Sequence, residues 1–97
     1  ASAPVTASLW QSEPNPAPGG RTEIRFMLPQ ASRTSLVLFD IAGRRVRTLL
    51  DGGVASGPHA VRWDGRDDQG VAMPAGVYVY RLQAGDVTLT QKLVSVR

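Results

Sequence analysis

Residues 63–82 constrain the fold of this chain more than any other stretch: Trp63-Asp64-Gly65-Arg66-Asp67-Asp68-Gln69-Gly70-Val71-Ala72-Met73-Pro74-Ala75-Gly76-Val77-Tyr78-Val79-Tyr80-Arg81-Leu82. The stretch opens on a large apolar anchor, Trp63, and passes through a loop dense in Asp and Gly. It closes in an alternating aromatic and β-branched run that reads as a strand. Period-two alternation places Tyr78, Tyr80 and Leu82 on one face and Val77, Val79 and Arg81 on the other. One face carries most of the apolar area and needs a second layer to cover it. Within the loop, Asp64, Asp67 and Asp68 can accept hydrogen bonds from nearby backbone N–H groups. Gly65, Gly70 and Gly76 can take a positive φ without steric cost. The loop is therefore a shaped connection between two strands.

The rest of the chain supplies the partners. Val5, Ala7 and Leu9 alternate with Thr6, Ser8 and Trp10, a pattern that suits an edge strand over 5–11. A Pro/Gly linker follows at 13–20, where Pro14, Pro16 and Pro18 remove backbone donors, so no ladder is expected there. From Arg21 to Leu28 the alternation is clean, with Thr22, Ile24, Phe26 and Leu28 inward. After the break at Pro29-Gln30-Ala31-Ser32, the run Leu36-Val37-Leu38-Phe39 predicts a strand over 35–41 buried on both faces. Ala42-Gly43 turns it into a hairpin with 44–50, in which Val46 and one of Leu49 or Leu50 face inward, and Asp51-Gly52-Gly53 ends that strand. His59, Val61 and Trp63 share a face of the next strand. Gly85-Asp86 closes a last hairpin into 87–96, where Leu89 and Leu93 oppose Val94 and Val96, so a bulge is expected near Gln91 or Lys92. Seven strands, no helix and regularly spaced turns predict an all-β, antiparallel two-sheet sandwich. It divides into an N-terminal strand (1–12), a linker (13–20) and the sandwich proper (21–97) of one domain.

Composition limits the function classes. At 97 residues there is room for one core, since a domain of this size buries about 60–70% of its unfolded surface. No apolar run approaches the ~20 residues that span a bilayer, so membrane insertion is not expected. Cysteine is absent, which removes disulfides and thiolate metal sites. The formal charge is +3, but the arginines are scattered singly along strands among eight acidic residues, with only Arg44, Arg45 and Arg47 clustered. That distribution reads as a solvated mixed-charge surface and does not point to nucleic acid.

No catalytic constellation stands out. The single histidine, His59, sits at a strand start beside Pro58 and reads as structural, and no serine opens a helix. An enzyme and a cofactor are not expected. The Asp-rich loop is the best metal candidate, with Asp64, Asp67 and Asp68 offering hard oxygen ligands to calcium. The match is loose, because Arg66 interrupts it and no Glu closes it, and Asp residues at turns more often cap backbone amides. Among the aromatics, Trp63, Tyr78 and Tyr80 are needed for the core. Trp10 alone is left as an exposed platform that could stack on a sugar ring, which keeps a carbohydrate-binding module among the readings.

Pro14-Asn15-Pro16, Phe39-Asp40-Ile41-Ala42-Gly43-Arg44-Arg45-Val46, Trp63-Asp64-Gly65 with Gly70, Gly76-Val77-Tyr78 and Lys92-Leu93-Val94 occur in an order that resembles the FlgD-type immunoglobulin-like module. The C-terminal sorting domains of type IX secretion substrates share the pattern. The resemblance covers residues 13–97 and implies a seven-stranded antiparallel immunoglobulin-like β-sandwich. It implies a non-catalytic, extracellular or cell-surface module that sorts or anchors a secreted protein by contact with the secretion machinery. Gly76, Tyr78, Lys92, Leu93 and Val94 are the recognition residues it implies. An alternative follows from the strand at 1–12: Val5, Ala7, Leu9 and Trp10 could leave their own domain and complete a neighbour's sheet, building a homopolymeric filament.

Overall fold

The computed structural model describes residues 7–97, which form eight strands. They are β1 (Ser8–Leu9), β2 (Ala17–Pro18), β3 (Arg21–Leu28), β4 (Ser32–Asp40), β5 (Arg45–Val54), β6 (Gly57–Asp64), β7 (Gly76–Ala84) and β8 (Val87–Val96). One sheet has the order β1-β3-β6 and the other β2-β8-β7-β4-β5. All neighbours are antiparallel except β2 and β8, which run parallel. The all-β, immunoglobulin-type sandwich expected from the sequence is present, but with eight strands and one parallel pair in place of seven antiparallel ones.

The extra strand comes from the proline linker. Ala17 and Pro18 lie beside Ser95 and Val96, and the rung next to Pro18 is donated by the Gly19 N–H to the Val96 carbonyl, so the missing proline donor is bypassed. Upstream, Glu13 and Glu23 exchange two backbone bonds of 3.0 Å. The segment 8–20 thus crosses from the edge of the small sheet to the edge of the large one, and it is built into both layers instead of linking them loosely.

Two further expectations are corrected. Asp51, Gly52 and Gly53 do not end β5, which continues to Val54 opposite Ser32. The irregularities fall on β5: Leu36 pairs with Leu50 and Val37 with Thr48, and Leu38 pairs with Arg47 and Phe39 with Arg45. Leu49 and Val46 are the residues stepped over, and each bulge re-aims one side chain. Val46 is therefore buried, while Leu49 and Leu50 both pack partly against the core. β8, by contrast, has no bulge. Its register with β7 is unbroken from Val87 to Ser95, so Val94 and Val96 stay on the solvent face.

Between the sheets lie Leu9, Ile24, Phe26, Leu28 and Trp63 from the small layer and Leu36, Leu38, Val46, Tyr78, Tyr80, Leu82 and Leu93 from the large one. Trp63 is 1% exposed and meets Tyr78 edge-on at 5.2 Å between ring centroids. A buried ring of that size contributes about 5 kcal/mol at ~25 cal/mol per Å² over ~200 Å². Its indole N–H is not wasted: it donates to the Arg66 carbonyl at 2.8 Å. At the same end, Gly65 (φ +82°) lies directly against the Gly19 carbonyl, where a β-carbon would stand 2.0 Å from the oxygen. The Asp-rich loop is thereby seated on the turn between β2 and β3.

Candidate functional site

The Asp-rich loop is a connection fastened from within. Asp64 Oδ1 accepts from the Arg66 N–H at 3.0 Å, and Asp67 Oδ1 accepts from the N–H groups of Gln69 and Val71, both at 2.9 Å. Asp68 turns the other way: its Oδ1 takes the Thr48 N–H at 3.0 Å, while its own N–H donates to the Val46 carbonyl. In this way a single residue caps the open edge of β5. Arg47, which the sequence marked only as part of a basic cluster, completes the fastening. Its Nη1 donates to Asp64 Oδ1 at 3.1 Å and to the carbonyls of Arg66 and Asp67 at 3.2 and 3.3 Å. The three carboxylates of the calcium candidate are thus directed at different backbone amides. Among the described residues no group of three or more His, Cys, Asp or Glu is arranged to hold a metal ion.

His59 faces inward from β6 and stacks on Phe26 at 5.2 Å, with its Nε2 2.7 Å from the Ala55 carbonyl. Both polar and apolar parts of the ring are used to close the β5–β6 turn.

Of the recognition residues implied by the resemblance, the structure separates two kinds. Tyr78 and Leu93 are cross-strand partners facing the core, and the Tyr78 hydroxyl donates to the Pro74 carbonyl at 2.5 Å. Burial raises the Tyr78 phenol above its ordinary value, and the Asp40 carboxylate adds to this. Gly76 opens β7 opposite Ser95. Only Lys92 and Val94 point to solvent, opposite Val79 and Val77. With Val77 at 40% and Val94 at 38% exposure, and Val96 beside them, the outer face of β7 and β8 carries an apolar patch. Alternation along each strand turns Val77 and Val96 outward but gives no sign that the β7–β8 register brings them together. Farther along the same face, Arg81 lies 4.7 Å over the ring of Phe39.

The residues of the exchangeable arm are engaged in their own chain. Leu9 is in the core, Ser8 pairs with Met27 and Leu9 with Phe26. The Trp10 N–H donates to the Arg25 carbonyl at 3.0 Å, and the Trp10 carbonyl accepts the buried Tyr80 hydroxyl at 2.7 Å. Ala7 packs against the core from the edge, and Val5 lies outside the described residues. Polar side chains of the same segment reach the edge of β8: Gln11 donates to the Lys92 carbonyl, and the Val94 N–H donates to Asn15 Oδ1 at 2.9 Å. The described part of the arm is thus bonded to both sheets of its own chain.

A groove of about 510 Å³ opens along β3 and β6 and reaches Arg47 of β5, lined by Arg21, Arg25, Arg62, Glu13, Glu23 and Asp64 among others. Glu23 bridges two of its arginines, accepting from Arg25 Nε at 2.9 Å and from Arg62 Nε at 3.5 Å. The Arg25 hydrogen bond is the main reason its carboxyl lies below the ordinary value.

The family model of the FlgD Ig-like domain matches residues 15–88. No curated protein matches the chain. Among solved structures it is similar to dimeric latent PorU from Porphyromonas gingivalis, with a TM-score of 0.72 and 20% identity, over 93% of this chain and 9% of that one. It is also similar to PorZ, described as an essential bacterial surface component of the type IX secretion system of the same organism. The TM-score there is 0.61 and the identity 19%, over 92% of this chain and 11% of PorZ. FLGD from P. aeruginosa gives a TM-score of 0.62 and 24% identity, over 94% of this chain and 67% of that one. The chain thus spans about a tenth of PorU and PorZ, and at these identities the likeness is one of fold. The family match, covering most of the sandwich, is more specific than fold: this chain belongs to the FlgD Ig-like domain family.

Proposed function

We propose that this domain is a non-catalytic sorting or anchoring module of a secreted or surface protein, acting through protein contacts made by the outer face of β7 and β8. The observation that carries this reading is the apolar patch of Val77, Val94 and Val96 with Lys92 at its border, left uncovered on two adjacent strands of a domain that has its own closed core. Membership in a family with fold relatives in secretion and flagellar proteins supports it. Lys92 and Val94 keep their proposed role as contact residues; Tyr78, Leu93 and Gly76 set the strand geometry that presents them. The location this implies is extracellular or at the cell surface.

A test is to fuse the chain to the C-terminus of a folded reporter in a bacterium that has a type IX secretion system. The reporter is expected outside the cell. Val94→Asp is expected to reduce export about tenfold, the effect of losing one well-packed contact residue, with the melting temperature of the purified domain retained. A reporter that stays inside with the native chain, or a Val94→Asp fusion exported like native, would overturn the reading.

A further inference from the structure

On the opposite side of the sandwich, the outer face of β1, β3 and β6 carries a different kind of surface. Leu9 points into the core, and the alternation turns Trp10 to solvent at 47% exposure, although its backbone is held on both sides by bonds to Arg25 and Tyr80. A large flat ring on a rigid backbone loses little freedom when something stacks on it. Trp10 donates its N–H to the carbonyl of Arg25, a residue of the 510 Å³ groove, and itself stands outside the residues that line the groove. From Arg25 the floor runs through Glu23 to Arg21, two residues at a time, so about 14 Å of strand is available at ~3.4 Å per residue. Arg62 and Asp64 of β6 lie opposite Glu23 and Arg21.

Four arginines (Arg21, Arg25, Arg47 and Arg62) and three carboxylates (Glu13, Glu23 and Asp64) line this groove, an excess of one positive charge, and Glu13 forms no ion pair among the described residues. Asp64 is taken by Arg47 and the Arg66 N–H, and Glu23 by Arg25 and Arg62. Arg62 touches Glu23 only through Nε and its side chain is 86% exposed, which leaves its terminal N–H groups free. Arg21 forms no ion pair among the described residues. Two guanidinium groups with unused forks on the same face as an exposed indole can bind a chain whose rings have one apolar face, hydroxyl groups and carboxylates.

We propose that this face binds an acidic polysaccharide: a sugar ring stacks on Trp10, and carboxylates along the chain are held by Arg21 and Arg62. The site is separate from the β7–β8 patch and does not depend on the sorting role.

The test is titration of the purified 97-residue chain with polygalacturonate and with neutral dextran, followed by Trp fluorescence and by retardation in polysaccharide-containing native gels. Binding to polygalacturonate is expected, and it should weaken as salt rises because exposed charges are screened. Trp10→Ala is expected to weaken it at least tenfold, as loss of a central aromatic contact does, and Trp10→Tyr to restore most of it. Arg21→Gln with Arg62→Gln should weaken polygalacturonate binding while the melting temperature holds. Absence of polygalacturonate binding, equal affinity for dextran, or full affinity in Trp10→Ala would each overturn the proposal. Retardation unaffected by either set of variants would mark nonspecific attraction to a basic protein and overturn it as well.

Discussion

Gly65→Ala is expected to destabilise the domain by about 3–4 kcal/mol. A β-carbon there would stand 2.0 Å from the Gly19 carbonyl oxygen and 3.2 Å from its carbon, where ordinary carbon contacts lie near ~3.5 Å. Neither atom can rotate away, because both are backbone. The turn that carries them is held by the bonds of Gly19 N–H to Val96 and of Gly20 N–H to Ala17. Relief requires moving the β2–β3 turn off the large sheet or the Asp-rich loop off Trp63, so the cost falls at the upper end of the ~1–3 kcal/mol typical of overpacking. The backbone at φ +82° adds ~1 kcal/mol for any residue with a side chain. For a domain of this size each kcal/mol lowers the melting temperature by about 4–8 °C, giving a fall of roughly 15–30 °C. Gly43→Ala is the control: its φ is +83°, but nothing lies within 4 Å of the added carbon, so only the ~1 kcal/mol of backbone strain applies. Thermal and urea unfolding followed by circular dichroism measures both. If the two variants lose the same stability, the close approach of the two loops is not what seats the Asp-rich loop.

Two more outcomes follow from buried and fastened groups. Burial raises the phenols of Tyr78 and Tyr80 above their ordinary value of 10.0, so the unfolded chain ionises first. Stability is then full below about pH 10 and falls as pH rises through the folded-state values, which urea melts from pH 8 to 11 should show. Tyr80→Phe should flatten part of that slope and cost about 1 kcal/mol at neutral pH through the lost bond to the Trp10 carbonyl. Arg47→Ala removes three bonds to the Asp-rich loop and should speed hydrogen exchange at the Thr48 and Asp68 amides while the Tyr80 amide is unchanged; equal acceleration at all three would mean global destabilisation instead.

The inward faces were legible in the sequence because burial leaves no latitude there. Thr22, Ile24, Phe26 and Leu28 on β3, and Tyr78, Tyr80 and Leu82 on β7, sit where period two placed them, and Trp63 is the core anchor its size suggested. The hairpins at Ala42-Gly43 and Gly85-Asp86 were readable for a similar reason, since few residues fit those turns. β2 was not, because parallel pairing next to Pro18 uses a donor one residue on, from Gly19. The reach of β5 to Val54 was hidden by two glycines that weaken a strand locally but are held by β4. The valines on either side of Ser95 make β8 look as if it changes face, whereas the bulges lie on β5. β-branched residues favour extended backbone whether or not they are buried, so Val94 and Val96 satisfied the strand without facing in.

The same asymmetry governs the candidate sites. A residue on an outer face answers to no packing constraint, so its neighbours along the sequence say little about what stands beside it. Val77 and Val94 are seventeen residues apart and become one patch only through the β7–β8 register. Trp10 and Arg62 come to one face because β3 lies between β1 and β6. The two outer faces therefore differ in kind: the large sheet carries a valine patch bordered by Lys92 on β7 and β8, the small one an indole on a face of arginines and carboxylates. The core separates them by the thickness of two layers, about 10 Å from sheet to sheet. At that distance contacts on one face alter the other little unless the sandwich itself deforms. The bonds that fix segment 8–20 to both sheets keep the two surfaces in a constant relation.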